Sequence, residues 1–422
     1  MQRIVLFLLI SVCLTISGVA YATQYHVGAG QQYATMNALL LVVTLVDNDI
    51  VWVHPGTYPA FWVKTGGGSS QAAAVQIRAY DINNKPIFNA AGANNNVQFE
   101  DPNSVYGLVG KWFYIDGLDI TGAAVRGIYN VSCNLIVRNC YVHGNGNGYM
   151  GGWHNARDDE RGDAIFEYNH FNGNGSGAYA HQLYMEGYNA EFRYNYIHDA
   201  TGGMSYKDRS RNSIVEYNYI SAGGASSYRT FEFCGFDDRV VPSTTNQYAT
   251  VTGNILTQSG GLNPWLFMSN ERTEGGAGKN KGYMTMTNNS CYGQNLTGPV
   301  IAGDKCAVTT LHNNIFHTNC NRMFDKVQGQ KTYGVINTSY NNWVTSGCAT
   351  VSAMVNTVVG TAPGWVNGAW PLGDFHLAAG AQCINSGNNS VGGLPTKQYV
   401  QPCNWQTRTI NGGVIDIGAY EY

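Results

Sequence analysis

The chain has 422 residues, a formal net charge of −3 and only 12% charged residues, against about 25% in a typical soluble domain. So sparse a charge, with no basic tract, argues against nucleic acid as a partner. No apolar run reaches the roughly 20 residues a membrane-spanning helix needs, so membrane insertion is not expected.

Residues 1–22 read as a secretory signal. Arg3 is the charged start, Val5 to Leu14 the apolar middle, and Ala20-Tyr21-Ala22 an A-x-A cleavage site. The expected product is a secreted protein, extracellular or periplasmic, cut near Ala22 and monomeric. Residues 23–90 read as an N-terminal cap with the first coils. Thr35 is a suitable N-cap for an apolar helix from Met36 to about Val46. The strand Ile50 to Val53 and the turn His54-Pro55-Gly56-Thr57-Tyr58 follow.

From residue 91 to about 360 one spacing recurs, apolar-x-x-Asn-x-apolar. Its copies are IVRNCY, FEYNHF, FRYNYI, VEYNYI, VTGNIL, MTNNSC and LHNNIF, with Asn139, Asn169, Asn195, Asn218, Asn254, Asn289 and Asn314. A degenerate eighth copy has Asn342. By subtraction the gaps are 30, 26, 23, 36, 35, 25 and 28 residues. Constant units with unequal inserts mark a solenoid.

The unit also says which solenoid. Positions −3 and +2 from each Asn are apolar, yet residues five apart lie on opposite faces of a straight strand. The chain must therefore turn at the Asn so that both enter one core. Asn tolerates the left-handed backbone of a tight corner, and stacked at strand spacing its amides can form a ladder. Glu167, Arg193, Glu216 and Thr252 fall where alternation points outward. The expected fold is all-β, a right-handed parallel β-helix of about nine to eleven coils. Residues 361–422 lack the Asn repeat and are expected to close the far end.

Nine cysteines follow residue 22, so at least one lacks an intrachain partner. Cys133–Cys140, Cys306–Cys320 and Cys383–Cys403 are the local pairs that export would permit, although Cys140 could equally be a small core filler. No CxxC pair supports a zinc site.

The opening "VWVHPGTY" and the ending "GDFHLAAGAQCINSG" with "IDIGAYEY" resemble secreted bacterial right-handed parallel β-helix proteins of the pectin-lyase-like superfamily. The resemblance covers the chain after the signal and implies fold more than function, because that superfamily holds lyases, hydrolases, esterases and adhesins. Within it, the Lys-x-Arg-x-x-Asn stretch of "MSYKDRSRN" is similar to part of the alginate lyase and chondroitinase B family. That resemblance implies a lysine base followed about one coil later by a catalytic arginine, here Lys207 and Arg229. It also implies acidic calcium ligands shortly before the lysine. Here that stretch is Ala200-Thr201-Gly202 with Asp199 beside it, so Ca²⁺ is the one cofactor to look for, and no metal ligand is assigned. Asp237 and Asp238 are two further acids, too few for a calcium site by themselves.

β-Elimination on a uronide needs a base for the proton α to the carboxylate, a proton for the leaving oxygen, and positive charge for the enolate-like intermediate. Lys207, Arg209, Arg211 and Arg229 form the densest cationic cluster in this charge-poor chain, with His181 and His198 flanking it. Lys207 is the candidate base and Arg229 the candidate acid or charge stabiliser. His181 and Glu232 complete the catalytic set. Arg209 and Arg211 would hold substrate carboxylates, since the guanidinium fork donates two parallel hydrogen bonds. Tyr184, Tyr228 and Trp153 would offer stacking surface to sugar rings.

Lys207 lies 11 residues before Asn218 and Tyr184 lies 11 before Asn195, so the two should stack on one outer face. Phe231 and Phe233 want the core. That puts Glu232 outward beside Lys207 and leaves Arg229 inward unless a bend precedes it. The bland reading is that Lys207-Asp208-Arg209 is a solvated turn tied by weak surface ion pairs. Two functions from different classes follow. One is a lyase acting on an acidic polysaccharide, or, with paired carboxylates, a hydrolase. The other is a non-catalytic carbohydrate-binding or cell-surface structural solenoid.

Overall fold

The computed structural model describes residues 22–102, 108–131, 133–153, 162–222, 227–234, 246–260, 266–269, 281–302, 306–325 and 335–422. The signal read in the first residues and its cleavage site up to Tyr21 lie outside that set. No helix among the described residues is long and apolar enough to cross a membrane.

The chain winds into a parallel β-helix. One long sheet stacks twelve strands, one per coil, and a second joins twenty strands from the other two sides of the coils. Within both sheets every pairing is parallel and joins one coil to the next. The long sheet thus runs to one coil more than the sequence suggested. Inward positions alternate strictly, as in Ala164–Glu167 and Asn189–Arg193. They supply one continuous core that includes Val137, Phe166, Phe192, Val215, Val251, Met286 and Leu311.

The corner asparagines form the expected ladder. Each Asn side-chain amide donates to the next one's Oδ1: Asn169 to Asn195 at 3.0 Å, Asn195 to Asn218 at 3.1 Å, Asn218 to Asn254 at 2.9 Å, Asn254 to Asn289 at 3.0 Å. Asn289 and Asn314 continue it to Asn342. The left-handed residue, however, is the one before the ladder Asn: Tyr168, Tyr194, Tyr217, Gly253, Asn288, Asn313 and Asn341 all have φ between 53° and 65°. Asn139 has this conformation too, and Cys140 takes the ladder position, its N–H donating to Asn169 Oδ1. The first copy is therefore shifted by one residue, and Val137 and Val142, not Ile136 and Tyr141, enter the core. Cys140 fills a buried place, as the alternative reading allowed.

Three further expectations are corrected. The capping helix runs only from Met36 to Leu40; Thr35 caps it by accepting from the Ala38 N–H. Met36 and Leu39 enter the core, whereas Leu41, Val42 and Val46 are exposed. Beyond Leu40 come two adjacent β-branched valines, which lower the gain from further helix, and Leu45 enters the core from outside the helix. Among the described residues the disulfide is Cys320–Cys348, whereas Cys133, Cys140, Cys383 and Cys403 are free thiols. Stacking places Cys320 one coil from Cys348, a proximity that short sequence separation does not reveal.

The third correction concerns the C-terminal segment, which does not close the far end. It doubles back along the flank of the solenoid. Trp370 Nε1 donates to Ala222 O, Lys397 Nζ to the Tyr194 hydroxyl, Trp405 Nε1 to the Tyr168 hydroxyl, and Asn288 Nδ2 to Asp416 O. The reason is apolar surface on the outside of the coils. Tyr196, Tyr219 and Ile255 pack with Phe375, Tyr399 and Tyr420, and Ile315 and Trp343 pack with Leu377, Cys383 and Ile417. Leaving that row in water would forgo roughly 1.5–3 kcal/mol per large side chain.

Candidate active site

The site is built on three successive strands of the twenty-stranded sheet: Leu183–Met185 carries Tyr184, Gly203–Asp208 carries Lys207, with Arg209 just after it, and Ser227–Cys234 carries Arg229 and Glu232. Core residues fix the register: Leu183, Tyr206 and Phe231 are paired and buried. The next position outward then gives the row Tyr184, Lys207, Glu232. Tyr184 and Lys207 do stack, with Nζ 5.3 Å from the ring centre.

Lys207 Nζ lies 3.3 Å from Glu232 Oε1, and Arg229 Nη1 lies 2.8 Å from Glu232 Oε2. Strand alternation favoured the first pair and the family resemblance grouped Lys207 with Arg229. The Glu232 carboxylate joins both cations. A register shift between Gly203 and Met204 pairs Gly203 with Ser227 but Met204 with Arg229. The shift lies immediately before Arg229, and beyond it the register is regular, so Phe231 and Phe233 keep their core places.

The solvated-turn reading fails on burial. The Lys207 side chain is 7% exposed, Arg209 6% and Glu232 0%. Asp208 points inward and accepts from the Tyr206 hydroxyl at 2.8 Å and the Ser210 N–H at 2.7 Å. Its carboxyl is pushed up by burial, against hydrogen bonds from Ser210, Ser213 and Tyr206.

Arg209 lies beside the row, 5.8 Å from the Tyr184 ring, with Nε 4.0 Å from Glu186 Oε1. Glu186, 6% exposed, is a member that sequence reasoning missed. It follows Tyr184 by two positions in "HQLYMEG", so alternation alone pointed to it. Arg211 stands apart, over the Tyr188 ring at 5.1 Å, where the chain enters the long sheet.

His181 is 2% exposed and accepts from the Met204 N–H at Nδ1, 2.9 Å away. Burial first, and then the Lys207 and Arg209 cations, push its pKa down to about 3. It is a neutral ring near neutral pH and holds no acidic proton on Nδ1. His198 lies one coil corner away, paired with His170 at 2.6 Å and Asp199 at 2.7 Å. The side chains of Trp153 and Tyr228 lie outside the described residues, as do Asp237 and Asp238.

Calcium was the cofactor to look for, and the described residues do not fit it. No cluster of three His, Cys, Asp or Glu side chains among them could hold a metal. Asp199 bonds His198, Asp208 is spent in the core, and Glu232 faces two cations. A calcium site needs six to eight converging oxygens.

The fold has solved counterparts. Pectate lyase Pel9A superposes with a TM-score of 0.58 over 96% of this chain and 97% of that chain, at 12% identity. The two share the parallel β-helix fold. A structure of XylC with xylose gives a TM-score of 0.49 at 10% identity, covering 81% of this chain and 87% of that one. No family model matches the sequence, and no curated protein matches it. At such identities the likeness is one of fold, and activity has to be argued from the site itself.

Proposed function

We propose that this is a secreted polysaccharide lyase that cleaves a uronate-containing polysaccharide by β-elimination. The observation that carries the reading is the convergence of Lys207 and Arg229 on Glu232, on an outward row beside Tyr184 and Arg209. A substrate carboxylate would compete with Glu232 for these cations. Lys207, once unprotonated, takes the proton α to the carboxylate. The C–H electrons become the new carbon–carbon double bond, the glycosidic C–O bond at the β carbon breaks, and the leaving oxygen takes a proton from water. Arg229 stays protonated and stabilises the enolate-like charge. Arg209 holds the carboxylate in place, Arg211 extends the charged surface toward the next corner, and Tyr184 supports the sugar ring. His181 serves as a neutral neighbour that fixes the Met204 backbone.

A second reading, carbohydrate binding without catalysis, is favoured by one fact: the Lys207–Glu232 pair is closed and almost inaccessible. A panel of alginate, polygalacturonate and glycosaminoglycans separates the two. The lyase reading expects ultraviolet-absorbing unsaturated product from at least one substrate with wild type and none with Lys207→Ala. Binding without product from any wild-type reaction would select the second reading.

A further inference from the structure

A groove of about 540 Å³ lies on a different side of the solenoid, between the outer face of the long sheet and the returning C-terminal segment. Its floor is one row of the sheet, Arg138, Glu167, Arg193, Glu216 and Thr252, paired in that order from coil to coil. Charges alternate along the row and neutralise one another. Arg193 reaches Glu216 at 3.1 Å and Glu191 at 2.6 Å, and Arg138 approaches Glu167 at 3.7 Å. These side chains are a quarter to two-fifths exposed, so they face water and keep spare hydrogen-bonding capacity.

One wall is aromatic. Tyr168, Tyr194 and Tyr217 stack at 5.0 Å and 5.8 Å, held by the left-handed corner that each occupies. Lys397 donates to Tyr194 at 2.7 Å and lies 3.8 Å from the Trp405 ring centre, which fixes the opposite wall. The groove therefore presents alternating donors and acceptors, nearly balanced in charge, against a wall of rings. Its rungs repeat at the strand spacing of about 4.8 Å, close to the length of one pyranose unit. A polyanion gains little from such a balanced row, whereas sugar hydroxyls, each both donor and acceptor, match it.

We propose that this groove is a second saccharide site, built for a neutral glycan chain lying along the solenoid axis. It is independent of the Lys207 face and of the lyase reading. The test is affinity electrophoresis of the full-length chain in native gels containing soluble galactomannan, mixed-linkage β-glucan or arabinoxylan. At least one should retard the wild type, and Lys207→Ala should be retarded equally. Glu167→Ala with Glu216→Ala should weaken retardation by about tenfold or more, as expected when two hydrogen-bonding carboxylates are lost. Thr250→Trp, at an exposed groove position, should do the same by filling the space without touching an ion pair. Circular dichroism and thermal melts confirm that each variant is folded. Retardation by none of the three glycans would overturn the proposal. So would unchanged retardation of both folded groove variants, or retardation confined to polyuronates and abolished by salt.

Discussion

Glu232 is fully buried and lies 3.3 Å from Lys207 Nζ through one oxygen and 2.8 Å from Arg229 through the other. Taking one partner out of a buried ionic cluster leaves uncompensated charge. Glu232→Ala should therefore lose about 3–5 kcal/mol of stability, read by chemical denaturation. Glu232→Gln keeps the shape and one accepting oxygen, so one cation keeps its partner and the loss should be smaller. Equal losses would mean that packing and not charge holds this corner.

Kinetics separate the roles assigned to the cations. Lys207→Ala should lower kcat by several orders of magnitude with little change in KM, because a base acts in the transition state. Arg209→Ala should act chiefly on KM. If Arg209→Ala abolished turnover while Lys207→Ala left it intact, the assignments would be reversed.

Asn218 makes the ladder testable away from the site. Its side chain donates to Phe192 O and Asn254 Oδ1 and accepts from the Asn195 backbone and side-chain N–H groups. Asn218→Ala strands these partners in a buried corner and should cost about 2–4 kcal/mol. Asn218→Asp should be no better, since a carboxylate cannot donate to Phe192 O or Asn254 Oδ1. A melt within a degree of wild type for either variant would show that the ladder accompanies the corner without stabilising it.

His181 ties stability to pH. Its folded pKa, about 3, lies below the ordinary 6.5. The unfolded chain therefore binds the proton first. The contribution is fully present above about pH 6.5 and is lost progressively as pH falls toward 3. His170, pushed down to about 4 by burial and then by the His198 charge, adds to the same acid limb. His181→Gln can still accept from the Met204 N–H and should flatten that limb without removing it. A parallel shift of the whole stability curve would instead point to lost packing.

The disulfide joins residues 28 apart, Cys320 and Cys348, in adjacent coils. Paired Cys→Ser substitution should cost about 3.6 kcal/mol, the loop-closure value for a segment of this length. Reducing agent should lower the wild-type melt by the same amount and leave the double variant unmoved.

The sequence by itself determined the solenoid, because a corner Asn with two fixed apolar offsets has few other solutions, and each copy repeats the constraint. It also determined the Tyr184–Lys207–Glu232 row, since strand alternation carries side-chain direction from coil to coil. What it could not hold was anything set by contact between distant segments. The contact of Arg229 with Glu232 forms beside a register shift at Gly203–Met204, and such a shift leaves no mark in a local pattern. The partner of Cys320 and the return of the C-terminal segment over Tyr196 and Tyr219 were likewise decided in three dimensions. Those outer tyrosines read as surface in a strand pattern, and only the assembled coils line them up into an apolar stripe wide enough to gain from being covered.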